Sequence, residues 1–178
     1  TPEAAMIARA DLFGDPTRSA AQLSPRGDRV AFLAPRDGVS NIWLLTVGAM
    51  DEARPVTADA DRGVRAFVWA QDNATLLYLN DAQGDGNQRL YAVSAAGGDP
   101  RALTPAGARA EILGMAESDP TGVVVSLNQR DRAWADVFRI DVTSGERTLL
   151  ERNPGGARGI AHYYLDRDNR VRLGMHPT

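Results

Sequence analysis

A chain of 178 residues is long enough to bury one ordinary hydrophobic core. Its makeup, 43% hydrophobic and 24% charged with a formal net charge of −3, gives no reason to expect a polyanion, so nucleic acid is not an expected partner. All 20 Lys-or-Arg positions are Arg and there is no Cys, which excludes the lysine-dependent phosphate loop, disulfides, thiolate catalysis and Cys-based metal sites; no apolar run approaches a membrane span.

The chain starts at Thr rather than Met, in keeping with an exported protein whose leader has been removed, so a periplasmic or secreted location is expected over a cytoplasmic one. Residues 1–19 read as a lead-in. Thr1, Pro2 and Glu3 ahead of Ala4, Ala5, Met6 and Ile7 resemble a capped helix start, and Gly14-Asp15-Pro16 ends it, so a short helix or helical turn is expected.

From residue 20 onward one phrase is repeated. Residues 23–45 read LSPRGDRVAFLAPRDGVSNIWLL and close at Arg54-Pro55-Val56-Thr57. Residues 67–93 read FVWAQDNATLLYLNDAQGDGNQRLYAV and close at Arg101-Ala102-Leu103-Thr104. A third copy runs from Ile112 through the valines 123–125 to Arg147-Thr148-Leu149-Leu150. Trp43, Tyr91 and Phe138 recur at steps of 48 and 47, and Val56, Leu103 and Leu149 at 47 and 46. A period of about 40–50 residues filled with short strands and turns is that of β-propeller blades.

Each copy parses into four strands. The first, innermost strand is expected at 20–23, 65–69, 112–116 and 160–165, followed by polar turns at 24–28, 71–74, 118–122 and 166–169 rich in the Pro, Gly, Asp and Asn that turns require. The second strand is nearly continuous in apolar residues (30–33, 76–79), as suits a strand covered on both faces. The third carries the aromatic slot and the fourth ends at Thr57, Thr104 or Leu150. The expected architecture is all-β: a partial propeller over 20–178, with antiparallel four-stranded blades at 20–58, 64–105 and 110–151 and the start of a fourth at 159–178. Closed rings need 4 to 8 blades, so a chain stopping in mid-blade exposes an apolar sheet face and strand edges. Self-association through those surfaces, in one form a two-fold pseudo-ring, is expected of it.

The repeated phrase resembles the propeller of TolB-like proteins and, more closely, that of the prolyl oligopeptidase family of serine peptidases. LFGDPTR at 12–18 and DAQGDGNQRLY at 81–91 look like bacterial dipeptidyl aminopeptidase and acylaminoacyl peptidase members. The resemblance spans the whole chain but only the amino-terminal half of such a propeller. It implies a non-catalytic portion that caps and gates an α/β-hydrolase domain missing from these residues, and peptides as substrates of the parent enzyme. No catalytic residue can be carried over. The nucleophile elbow needs Gly-x-Ser-x-Gly, and none of the serines at 19, 24, 40, 94, 118, 126 and 144 has it. The rival expectation is a TolB-like protein-interaction module with no enzyme downstream; a sugar-active propeller, which needs paired carboxylates on inner strands, ranks last because only Glu111 and Asp166 come near.

No cofactor and no metal is expected. Asp81, Asp85 and Asn87 suggest a calcium loop, but position 12 counted from Asp81 is Ala92, where that chemistry needs a bidentate Glu, so a tight loop is favoured. Asp166, Asp168 and Asn169 align with the first blade's turn and read as turn chemistry. Trp43, Trp69 and Trp134 read as blade packing, and His162 as a packed or hydrogen-bonded residue. The loops 59–62 and 130–132 read as solvated turns. Inner strands line a propeller's channel, so Arg65, Glu111 and His162, at or beside those strands, are the residues expected to set channel polarity.

Overall fold

A computed structural model of the chain describes residues 17–81 and 84–177, so the expected helical lead-in, at residues 1–16, lies outside the described residues. The described chain is all-β, relieved by one 3-10 turn at Gly156–Arg158. Four antiparallel sheets follow one another in chain order, each built from consecutive strands. The first contains β1 (Ser19–Leu23), β2 (Arg29–Arg36), β3 (Val39–Thr46) and β4 (Ala49–Pro55). The second contains β5 (Phe67–Trp69), β6 (Thr75–Asn80), β7 (Arg89–Ser94) and β8 (Arg101–Ala102), and the third β9 (Ala110–Ala116), β10 (Asp119–Leu127), β11 (Asp136–Asp141) and β12 (Arg147–Glu151). The fourth has two strands, β13 (His162–Leu165) and β14 (Val171–Met175).

The apolar second strands are explained by what lies on either side of them. Because side chains alternate between faces along a strand, Leu76 and Tyr78 of β6 join Ala31, Leu33, Ile42 and Leu44 of the first sheet in one core. Leu77, between them, turns the other way and meets Val123, Val125 and Ile140 of the third sheet in a second core. Val124 of β10 and Val137 of β11 then face Tyr163 of β13 in a third, smaller core. Stacked sheets with a dry layer between each pair are the construction of a partial β-propeller. Each fully buried Leu or Ile in those layers contributes about 1.5–3 kcal/mol.

The aromatic slot is a register position. Trp43 pairs with Phe32 on the inner side and Pro55 on the outer, Tyr91 with Tyr78 and Ala102, and Phe138 with Val125 and Leu149. In the second blade the two tyrosine rings stack at 5.4 Å. The turns also follow the sequence, with Gly27, Asn73 and Asn169 at φ of 72°, 60° and 60°, where Gly and Asn are the residues that fit.

The structure corrects several boundaries. The inner strand of the second blade starts at Phe67, leaving Arg65 in the approach to it; in the third blade it starts earlier, at Ala110, and in the fourth later, at His162. The third blade's turn is tighter than the 118–122 expected. β10 begins at Asp119 and absorbs Pro120, Thr121 and Gly122 through a bulge before Val123. Leu149 does not share the slot of Val56 and Leu103. Those two follow the fourth strand, are buried, and donate N–H to Ile42 O (2.7 Å) and Leu90 O (2.8 Å). Leu149 lies one position earlier, opposite Phe138, and is 48% exposed. The pairing of Phe138 with Leu149 leaves Leu150 as the residue that follows it, and a bulge between Val137 and Phe138, beyond Leu149, accompanies the run of β12 to Glu151.

Candidate functional site: the rim of the inner strands

The first strands of neighbouring blades are anchored by the same bond. Buried Val64 donates its N–H to Ser40 O, and buried Ala110 donates its own to Gln88 O, both at 2.8 Å. Ser40 and Gln88 lie 48 residues apart, one repeat. The residue after each anchor, Arg65 just before the inner strand of one blade and Glu111 at the start of that of the next, is therefore held in place and is exposed. His162 opens the inner strand of the fourth sheet and is also exposed, not packed as a lone histidine in a strand usually is.

The three residues do not meet at one point. Glu111 and His162 share a cavity of about 190 Å³ between the third and fourth sheets, together with Ser126, Arg109 and Arg132. Arg65 lies instead in an adjoining cleft of about 380 Å³, with Arg62, Asn80, Gln88 and again Arg109. Arg109 lines both and joins them into a continuous rim. Its backbone is clasped by Asn128, whose Oδ1 accepts the Arg109 N–H at 2.7 Å and whose own N–H donates to Arg109 O at 3.2 Å.

Sequence reasoning missed Arg62, Arg109 and Arg132. Two of them sit in the loops at 59–62 and 130–132 that read as solvated turns. Arg62 is fixed by Asp59, whose Oδ1 accepts the amides of Asp61, Arg62 and Gly63 at 2.9–3.1 Å and whose Oδ2 accepts Asn80 Nδ2 at 2.9 Å. Burial alone would raise that carboxyl's pKa, but those donors outweigh it and hold it below the ordinary carboxylate value. Arg132 donates to Gly107 O. The signal that could have found Arg109 is its place directly before the anchor residue Ala110.

Other singled-out residues do structural work. The Asp81 carboxylate accepts the amides of Asp85 (3.1 Å) and Gly86 (2.9 Å), closing its own loop. Asp166 accepts from the amides of Asp168 and Arg170, both at 2.9 Å, and from Arg172 Nε at 2.6 Å. Trp69 is buried and donates to Gln22 O; Trp43 donates to Ala34 O; the Trp134 ring lies against Gly155 and Gly159. Tyr163 is buried beside the smaller cavity, and its hydroxyl has no hydrogen-bond partner among the described residues. Burial, with the charges of Glu151 and Asp136, pushes that phenol above its ordinary pKa.

With the geometry in place, the chain can be set beside known proteins. No protein-family model matches it. It is 40% identical over 164 residues to dipeptidyl aminopeptidase BIII of Pseudoxanthomonas mexicana, a match that covers 92% of this chain. The chain spans about a quarter, 23%, of the length of the curated relatives it matches. Among solved structures, acylaminoacyl peptidase of Pyrococcus horikoshii superposes with a TM-score of 0.55 at 16% identity, over 85% of this chain and 27% of that one. TolB of Acinetobacter baumannii superposes with a TM-score of 0.53 at 16% identity, over 87% of this chain and 36% of that one. The chain thus has sequence kinship with part of a dipeptidyl aminopeptidase and the fold of the β-propeller portion of a prolyl oligopeptidase family peptidase.

Proposed function

We propose that the chain is the non-catalytic propeller portion of a serine peptidase, covering an α/β-hydrolase domain outside these residues and controlling which peptides reach it. The observation that carries this reading is 40% identity along nearly the whole chain to a dipeptidyl aminopeptidase of which it spans only 23%. Peptide hydrolysis itself would rest on a Ser, His and Asp of the other domain. The present residues contribute the passage, with 20–178 as one propeller unit and 1–19 as its lead-in. Arg65, Glu111 and His162 set the polarity of the passage from positions at or beside three inner strands, supported by the cavity that Glu111 and His162 share and by the adjoining cleft of Arg65.

The test is made in the full-length gene product. Reading the gene past Thr178 should give further blades and then a Gly-x-Ser-x-Gly motif. Arg65→Ala, Glu111→Ala and His162→Ala should each change the ranking of kcat/KM across a panel of charged and neutral peptides. An unchanged ranking would remove the gating role.

A second reading is favoured by the TM-score of 0.53 to TolB, close to the 0.55 to the peptidase. In it the propeller is a protein-interaction module with no enzyme attached. A gene that stops after its last blade without the nucleophile motif selects that reading.

A further inference from the structure

We propose that the cleft between Arg62, Arg65 and Arg109 binds a carboxylate carried by a peptide, either an acidic side chain or the free carboxyl terminus. The inference deepens the reading of the rim as a selecting surface and rests on that reading for its biological role. It makes a claim about binding that the chain can satisfy without any hydrolase domain.

The charge distribution is the first argument. The protein carries a net charge of −3, yet this cleft presents three guanidinium groups against one lining carboxylate, Asp81. Asp81 turns its oxygens toward the amides of Asp85 and Gly86. Four arginines elsewhere are ion-paired, Arg29 with Asp28 at 3.6 Å, Arg130 with Asp136 at 2.7 Å, and Arg139 with Asp119 and Arg172 with Asp166, both at 2.6 Å. Arg62, Arg65 and Arg109 make no ion pair of that kind among the described residues. Three like charges sharing a cleft with a single carboxylate repel one another, and an anion in the cleft relieves that repulsion.

Preorganisation is the second argument. Each arginine is delivered by a braced piece of backbone: Arg62 by the Asp59-capped loop, Arg65 by the Val64–Ser40 anchor, and Arg109 by its paired bonds to Asn128. A guanidinium fork matches a carboxylate in two parallel hydrogen bonds, so forks carried on braced backbone favour a planar carboxylate over a spherical charge. The cleft, at about 380 Å³, has room for a peptide residue beyond the charged group, and the Gln88 side chain in its wall supplies an amide that can pair with peptide backbone.

The test uses the full chain and dye-labelled tetrapeptides followed by fluorescence anisotropy. One peptide carries Glu with an amidated end, one replaces that Glu by Gln, and one is neutral with a free carboxyl terminus. The Glu peptide, the free-acid peptide or both should bind at least tenfold more tightly than the Gln amide, and which one does so names the source of the carboxylate. Arg65→Gln with Arg109→Gln should remove that tenfold preference, whereas Arg26→Gln, an exposed arginine outside the cleft, should leave it. Equal affinity for all three peptides, an equal loss from Arg26→Gln, or inorganic phosphate displacing the peptide at equimolar concentration would each overturn the assignment. The comparison on the unaltered chain stands whatever the variants' folding. A negative result here, beside an active full-length peptidase with rim-dependent selectivity, refutes the carboxylate site alone; positive binding in a gene that lacks the nucleophile motif refutes the peptidase reading alone.

Discussion

Replacing Asp141 by Asn should weaken the fold at neutral pH and leave it almost unchanged in strong acid. Asp141 ends β11, and its Oδ1 accepts the amides of Ser144 (2.8 Å) and Thr143 (2.9 Å) while Oδ2 accepts the Thr121 hydroxyl at 2.7 Å. The Ser144 amide above all, then the Thr121 hydroxyl, hold the carboxyl at a pKa of about 2, against an ordinary 3.8. At 1.36 kcal/mol per pH unit that depression is equivalent to about 2.4 kcal/mol. The side chain is 22% exposed at the surface end of a hairpin, so solvent screening reduces the figure by roughly half, to about 1.2 kcal/mol. A depressed pKa gives stability that is fully present above the unfolded value and is lost as pH falls through the folded one. The linkage relation then leaves about 0.7 kcal/mol at pH 3 and about 0.2 kcal/mol at pH 2. Asn keeps the acceptor for Thr143 and Ser144, and the Thr121 hydroxyl can turn to accept from its NH₂ group, so the comparison isolates the charge. Urea midpoints of the two proteins at pH 7, 5, 4 and 3 measure it. A gap that stays constant over that range, or widens toward acid, would refute the electrostatic account.

Leu77 is fully buried between the second and third sheets, and Leu77→Ala should lower stability by about 3–4 kcal/mol in the same urea assay. Gly159 has an ordinary φ of −56°, so its missing side chain answers to space: a Cβ would run into the Trp134 ring. Gly159→Ala should therefore destabilise by about 1–3 kcal/mol and shift the tryptophan emission, whereas Gly86→Ala, with open space around it, should leave the emission unchanged. The exposed face of the fourth sheet carries Tyr164 (51% exposed) opposite Leu173 (61% exposed), and the isolated chain should associate through it, with Leu173→Glu restoring the monomer in light scattering. A clean monomer at every concentration would remove that expectation. In native-state hydrogen exchange the β13–β14 amides should open at lower free energy than those of β10 and β11, because three buried residues hold the last core against twelve in the second.

The repeat was legible because a blade fixes both its period and its register. Trp43, Tyr91 and Phe138 fall at the same pairing position of the third strand, and each is flanked by second-strand residues that must be apolar to face two neighbours. The slip at Leu149 was hidden for a physical reason. Register is set by pairing across the hairpin, and Arg147-Thr148-Leu149-Leu150 preserves the apolar rhythm of its counterparts while standing one place earlier on the ladder. At the rim, Glu111 and His162 could be placed from their strands. Arg62 and Arg132 could not, because a loop's side-chain direction depends on which carboxylate or carbonyl caps it, here Asp59 for one and Gly107 O for the other.

That slip has a consequence for how the blades hold together. Arg54, opposite Leu44, reaches across to the carbonyls of Ala95 and Ala96 in the next blade's hairpin, and Arg101, opposite Ala92, reaches those of Val142, Thr143 and Ser144. The structural equivalent in the third blade is Thr148, opposite Arg139, while Arg147 is displaced and bonds Gln129 within its own blade. The outer clasp therefore joins the first blade to the second and the second to the third. Asn153 takes over nearer the axis, donating to Ala135 O and Ile160 O and accepting the Ile160 amide. The described bonds between the third and fourth sheets thus lie close to the inner strands. The cleft of Arg62, Arg65 and Arg109 lies between blades joined by the Arg101 clasp, while the cavity of Glu111 and His162 lies between sheets joined near the inner strands by Asn153.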